Sequence, residues 1–249
     1  MKDKIIVATF LRVGSTWITT ILEQLLNIAH QPLSVEHTVG FPLSGYNRER
    51  IKELPGGLYK THNFTLKDGI QLLNEGVRMV GCQRNFKDTL VSCLLYFRNV
   101  RPVQGLDNEQ FVQSFIDETA PLGLTDEEFV NLFIEARTEG VEYLVSEWFK
   151  FQHVVCSSGT CVLNYDTLNG DSVKAAKLLI TQLNLGIQAP SAEQLTKTCG
   201  LGAMKKQHTP GHVRKGLVHG YNRYLDSTSV KRLDAMIRKV RQKKKYTDI

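Results

Sequence analysis

The 249-residue chain lacks several features that would settle its class at once. It contains no run of about 18 uninterrupted apolar residues, which excludes a helical membrane span. Its start, "MKDKIIVATF", enters a strand pattern without a long apolar segment, so no signal peptide is expected. Five cysteines, Cys82, Cys93, Cys156, Cys161 and Cys199, form no CxxC pair. Their odd number and scattered spacing give no disulfide framework and point to reduced thiols and a cytoplasmic location. No repeat, low-complexity linker or compositional break divides the chain, so a single domain over 1–249 is expected. No lysine follows the glycine of the first loop, which removes the usual mark of an ATP or GTP phosphate loop.

What is present is ordinary in amount and uneven in placement. Apolar residues make up 42% and charged residues 22%, with a formal net charge of +6. Between Arg101 and Glu147 there are eleven acids and two arginines; between Ala203 and Lys245 there are thirteen lysines and arginines and two aspartates. The basic segment suits an anionic ligand, a polyanion or a solvated helix face.

Strand-like runs alternate with helical spacing. "KIIVATF", "GLYKTH", "VRMVGCQ" and "TCVLNY" read as strands. Helices are expected after Gly14, at Arg48–Glu53, Asp68–Asn74 and Asp88–Phe97, several times over Asn108–Phe151, at Val173–Asn184, and from about Ser229. Pro121–Gly123 should separate two of the middle helices, and 186–222 reads as loop-rich. The alternation implies an α/β fold with a mostly parallel sheet flanked by helices. Ligands of such folds sit at the carboxyl ends of the strands, where the loops after Phe10, Tyr59, Gln83 and Tyr165 should meet.

The stretch "TFLRVGSTWITTIL" has the form of a strand, a glycine turn and a helix opening on hydroxyls. A helix start leaves backbone N–H groups pointing into the loop and carries the positive end of the dipole, so it attracts anions. Gly14 lets the backbone come close, Ser15 and Thr16 add hydroxyls able to cap the helix start, and Arg12 adds a permanent charge with a planar donor fork. A capped turn with a surface arginine would look the same. Lys60 and His62 lie just past a strand end in "LYKTHNF". Arg84 ends another strand in "CQRNFKDTLVS", with Ser92 inside the following helix. Taken alone, His62 could be a turn histidine and Arg84 could pair with Asp88 one helical turn on.

Together these stretches resemble the sulfotransferases that use 3′-phosphoadenosine 5′-phosphosulfate (PAPS). The family's T-Y-P-K-S-G-T-T-W is similar to "TFLRVGSTW", and its K-T-H stands unchanged at Lys60, Thr61 and His62. Its A-R-N-x-K-D-x-x-V-S is similar to "QRNFKDTLVS", its Y-E-D to "NYDTL", and its R-K-G to Arg214, Lys215 and Gly216. The order holds from about residue 5 to 225.

The resemblance implies a strand–loop–helix in which Arg12, Val13, Gly14, Ser15, Thr16 and Trp17 hold the 5′-phosphosulfate. Trp17 would pack on the adenine or, alternatively, belong to the core. Arg84 and Ser92 would bind the 3′-phosphate with Arg214, Lys215 and Gly216. Tyr165 and Thr198 would also border the cofactor, and His62 would be the general base, with Arg12 and Lys60 as catalytic cations. PAPS would be the sulfuryl donor and 3′,5′-adenosine bisphosphate (PAP) the product, with no metal.

In-line sulfuryl transfer depends on positioning and charge, as phosphoryl transfer does. A neutral imidazole suits proton removal near neutral pH, its unperturbed pKa being about 6.5. The chain departs from the family at Arg12, where lysine is usual, and at Val13, where serine is usual. It lacks the tryptophan of the G-D-W-K that follows R-K-G and a recognisable dimer motif, and the segment that walls the acceptor pocket ahead of the first strand in cytosolic members is expected to be missing.

The acceptor is expected to be a small molecule bearing a hydroxyl or amine. If the acidic middle segment lines its pocket, the acceptor is cationic. Phe64, Tyr96, Phe97, Phe115, Phe133, Tyr143 and Trp148 are candidate walls. No nucleic-acid or membrane partner is expected. A nucleotide-dependent kinase with a degenerate loop and a non-enzymatic polyanion-binding protein are the alternatives.

Overall fold

The computed structural model describes residues 4–10, 12–32, 54–62, 74, 76–99, 107–157, 161–207 and 219–244. Five parallel strands form one sheet: β1 (Lys4–Ala8), β2 (Gln31–Pro32), β3 (Gly57–Thr61), β4 (Arg78–Gln83) and β5 (Cys161–Asn164), in the order β2-β3-β1-β4-β5. The central strand β1 is fully buried from Ile5 to Ala8, which explains its unbroken apolar run. Strand β1 lies between β3 and β4, with Ala8 opposite Thr61 and Val7 opposite Val80. The chain after β1 and the chain after β3 therefore leave the sheet side by side at its carboxyl edge.

Helix α1 (Ser15–Leu26) follows β1, and Ile18, Ile21, Leu22 and Leu25 bury its apolar stripe. After β4 come α2 (Phe86–Asn99), α3 (Asp107–Thr119), a 3₁₀ turn at Ala120–Leu122, α4 (Asp126–Ala136) and α5 (Thr138–Ser157). The 3₁₀ turn, with Pro121 near its start and Gly123 left-handed at its end, makes the expected break. Thr125 and Glu128 close a reciprocal capping box that starts α4. After β5 follow α6 (Tyr165–Gly170), α7 (Ser172–Gln182), α8 (Ala192–Cys199), α9 (Leu201–Gln207), a 3₁₀ turn at Gly220–Arg223 and α10 (Ser227–Lys244).

Two expectations are corrected. Within 186–222, expected to be loop-rich, Ser191 caps α8 by accepting from the Gln194 N–H, and α9 follows at once. Leu195, Cys199 and Met204 are fully buried, so tertiary burial holds helices that glycine and proline had masked. Tyr165 starts α6 instead of ending β5, because the Asn164 side chain caps that helix. The helices expected at 48–53 and 68–74 lie, apart from residue 74, outside the described residues.

Two apolar clusters form. One surrounds the sheet with α1, α7, α8 and the end of α5; the other joins α2, α3, α4, the start of α5 and α10. Trp148 packs against both. The uneven charge of the sequence pairs up in the second cluster: Arg232 and Lys239 of α10 reach Glu135 and Glu142, and Lys87 of α2 reaches Asp234. Arg98 meets Asp126, and Arg137 meets Glu118. Such half-exposed pairs add little stability each. Two acids of the middle segment, Glu135 and Glu142, are thus matched to the basic helix α10.

Candidate active site

The β1–α1 turn is built around two left-handed residues, Arg12 (φ 61°) and Gly14 (φ 113°). Gly14 is needed for its backbone angle and for space. A Cβ there would lie 3.1 Å from Leu168 Cδ1 and 3.2 Å from Tyr165 Cδ2. Gly14 is itself the N-cap of α1, and no side chain caps the helix. The expectation that Ser15 and Thr16 cap this end is therefore corrected. Both are inside the helix, and Ser15 is buried. An uncapped helix start keeps its donors directed at the turn, which is the arrangement an anion site requires.

Three cations meet at this turn. Arg12 places its guanidinium 4.3 Å from the centre of the Tyr96 ring. Arg84 donates from Nη1 to the Arg12 carbonyl at 2.6 Å and stacks 4.0 Å from the centre of the Tyr165 ring. Its Nε is buried and has no hydrogen-bond partner among the described residues. Lys60 donates from Nζ to Thr16 Oγ1 at 3.1 Å.

Concentrating positive charge in a partly buried place costs free energy, and the pKa values record it. Burial pushes the Lys60 ammonium down to about 8, with the neighbouring Arg12 charge adding to the shift and Glu23 opposing it. Burial also lowers Arg12, and Arg84 contributes in the same direction. Among the described residues neither Lys60 nor Arg84 has a carboxylate partner. The Tyr165 hydroxyl is raised by burial, so it stays protonated as a neutral stacking surface.

The alternative for Arg84, an ion pair with Asp88, does not form among the described residues. Asp88 is buried and accepts from the backbone N–H groups of His219 and Tyr221, each at 2.9 Å. Lys87 stacks 5.1 Å from the Tyr221 ring. The start of α2 is thus tied to the chain that follows 208–218.

His62 sits where β3 ends, next to the end of β1. Its Nδ1 is 2.9 Å from the Thr9 carbonyl and 3.5 Å from Thr9 Oγ1. A carbonyl can only accept, so the neutral ring carries its hydrogen on Nδ1 and keeps Nε2 as the basic nitrogen. Thr9 was missed in the sequence. Its one signal was a polar residue ending an otherwise apolar strand, and it is fully buried.

The structure therefore gathers Arg12, Val13, Gly14, Ser15, Thr16, Lys60, His62, Arg84 and Tyr165. Val13 is fully buried and serves as core. Trp17 is 4% exposed, donates Nε1–H to the Cys199 carbonyl at 2.6 Å, and meets the Tyr165 ring edge-on. Of its two readings, core membership is the one with contacts behind it. Thr198 precedes Cys199 on α8 and is brought to the side of α1 by that same bond; its hydroxyl donates to the Gln194 carbonyl. Ser92 is half-buried two turns into α2. Arg214, Lys215 and Gly216 lie outside the described residues, as does Phe64. Of the other candidate walls, Phe97, Phe115 and Phe133 are buried in the second cluster, and Tyr143 is 42% exposed. Tyr96 alone among them faces Arg12.

All five cysteines are free thiols. Among the described residues no helix is long and apolar enough to cross a membrane, and no His/Cys/Asp/Glu group is arranged to hold a metal.

The sulfotransferase-domain family matches residues 2–248. A mouse sulfotransferase complexed with PAP shares the fold at 16% identity, with a TM-score of 0.65 over 98% of this chain and 86% of that one. Retinol dehydratase in complex with androsterone and PAP aligns at 14% identity and a TM-score of 0.54 over 96% of this chain and 80% of that one. Its complex with retinol and PAP gives 14% and 0.53, over 96% and 81%. No curated protein matches the chain by sequence.

Proposed function

Because the chain belongs to the sulfotransferase-domain family, whose members draw the sulfuryl group from PAPS, we propose that its β1–α1 turn holds that donor and that His62 activates a small-molecule acceptor. The observation that carries this reading is the meeting of Arg12, Lys60 and Arg84 at an uncapped helix start beside an imidazole with fixed orientation.

The residues fit a ligand with phosphate at both ends. The left-handed Gly14 sets the turn against Tyr165 and Leu168, and the buried Arg84 Nε, without a partner among the described residues, wants an acceptor. Gly14, Ser15, Thr16, Arg12 and Lys60 would hold the 5′ end, and Arg84 with Ser92 the 3′-phosphate. Arg214, Lys215 and Gly216 join them by the family pattern. Trp17 would support the adenine side as a packed wall beside Thr198.

PAPS supplies an activated sulfuryl group and leaves as PAP. The chain's own work is positional and electrostatic. His62 Nε2 takes the acceptor proton, while the bond from Nδ1 to Thr9 keeps the ring aimed and stabilises the imidazolium that forms. Protonated Lys60 and Arg12 offset charge growing on the leaving phosphate. Arg12 supplies charge and a donor fork but no proton, so any proton given to the leaving group comes from Lys60.

The acceptor is read as a small molecule, in keeping with neighbours solved with androsterone or retinol. For a cationic acceptor the middle segment offers fewer spare carboxylates than its composition suggests, since Glu118, Asp126, Glu135 and Glu142 pair with arginines and lysines. No observation favours the kinase or polyanion-binding alternatives.

His62→Ala tests the assignment. Sulfuryl transfer should fall at least about a hundredfold, in line with loss of a general base, while PAP binding stays within a few-fold. Loss of both together would make His62 a structural residue.

A further inference from the structure

Arg12 is held from two directions. Its backbone is left-handed, at φ 61°, and its carbonyl accepts from Arg84 Nη1 at 2.6 Å. A side chain of this size keeps such an angle only where its surroundings fix it. Its guanidinium lies over the Tyr96 ring, 4.3 Å from the centre. Tyr96 comes from α2, the helix that begins two residues after Arg84, and Arg12 and Tyr96 are both half-buried. Ser92 lies four residues earlier on the same face of that helix.

The kind of contact matters at an anion site. The negative face of an aromatic ring attracts a cation, and more strongly as water is excluded. The stack uses the flat face of the guanidinium rather than its in-plane N–H donors, so a stacked arginine can still fork onto the oxygens of an anion. A carboxylate would hold the side chain too, but it would occupy the fork and cancel the charge. A neutral ring does neither. Arg12 also stands near a like charge, since Arg84 is among the causes that lower its pKa. Without a hold, a long side chain would swing away from that charge, and ordering it again would weaken ligand binding. The chain has arginine where the resembling family usually has lysine, and a planar cation suits a ring face better than a compact ammonium.

We infer that Tyr96 is a positioning residue for the sulfuryl donor: it holds the Arg12 guanidinium at the 5′ end of the donor and leaves the charge and the donor fork to the phosphosulfate. The inference rests on the sulfuryl-transfer reading above and deepens it. The competing role for Tyr96 is that of a wall for the acceptor.

Competition calorimetry with PAP and with adenosine 3′-monophosphate, which lacks the 5′ group, separates these roles. Tyr96→Leu should weaken PAP about tenfold and the 3′-monophosphate less than about twofold. Tyr96→Phe, which keeps the ring face, should bind PAP within about threefold of the wild type. In an Arg12→Gln background the leucine change should weaken PAP less than about twofold, because the two residues act as a unit. Tyr96→Met replaces the leucine variant if Tm shows that leucine folds poorly. Unchanged PAP affinity in Tyr96→Leu overturns the inference and gives Tyr96 to the acceptor side. An equal loss for both ligands, or a full loss in the Arg12→Gln background, makes Tyr96 a structural residue and also overturns it. So does a loss in Tyr96→Phe as large as in leucine, which would assign the effect to the hydroxyl, or an Arg12→Gln variant that binds PAP as tightly as the wild type. A wild-type protein that does not bind PAP overturns the sulfuryl-transfer reading and this inference with it.

Discussion

Lys60 gives the account a pH dependence that can be worked out in advance. Its ammonium is held at about 8 by burial and by Arg12, against a usual value of 10.5. Only the charged form offsets negative charge on the leaving phosphate. With a pKa of about 8, roughly a tenth of Lys60 is charged at pH 9 and about a hundredth at pH 10, whereas an ordinary lysine near 10.4 would be almost fully charged at pH 9. Measured as kcat/KM for PAPS, which reports the free enzyme, activity should therefore fall about tenfold per pH unit above 8. The corresponding limb in kcat should lie higher, because the bound anion favours the charged form. Lys60→Arg keeps the charge and should abolish the limb. Arg12→Gln lowers activity but should move the limb upward by removing a neighbouring positive charge. For stability the sign is the reverse of a paired lysine. Below about 8 both folded and unfolded chains carry the charge and the full burial penalty applies, so the ligand-free protein should gain stability as pH rises from about 8 toward 10.5. A kcat/KM profile flat from pH 8 to 9.5 would refute the placement of Lys60 at the reacting phosphate.

Gly14→Ala forces a left-handed angle on a side chain that also meets Tyr165 and Leu168; chemical denaturation should show a loss of about 1–3 kcal/mol, with PAP binding weakened as well. Gly81→Ala should destabilise the fold through overlap with Val155, and Val155→Ala should restore much of the loss in the double variant, a coupling readable from denaturation midpoints. Asp88→Ala removes two charge-assisted bonds to the His219 and Tyr221 N–H groups and should cost about 2–4 kcal/mol, seen as a lower Tm; an unchanged Tm would mean that the clamp is not formed in solution.

The sheet was readable because β1 and β4 are short apolar runs buried on both faces, a pattern that survives without tertiary information. Helices α8 and α9 were hidden. Gly200 and Gly202 argue locally for loop, and only burial of Leu195, Cys199 and Met204 against α1 and its neighbours overrides that. In the site, Arg12, Gly14, Lys60, His62 and Arg84 were legible because each lies beside a strand end and the strands are neighbours. The role of Asp88 was not legible, since helical spacing offered only Arg84 as a partner while its bonds go to backbone groups more than a hundred residues away. Thr9 was invisible for a related reason: what marks it is a long-range bond to His62.

Calorimetry with PAP, adenosine 5′-monophosphate and ATP, each with and without Mg²⁺, tests the central claim most directly. The account predicts that PAP binds without metal and at least about a hundredfold more tightly than the monophosphate, and that Arg84→Ala removes most of that difference. Equal affinity for PAP and the monophosphate, or binding of ATP that depends on Mg²⁺, would contradict it.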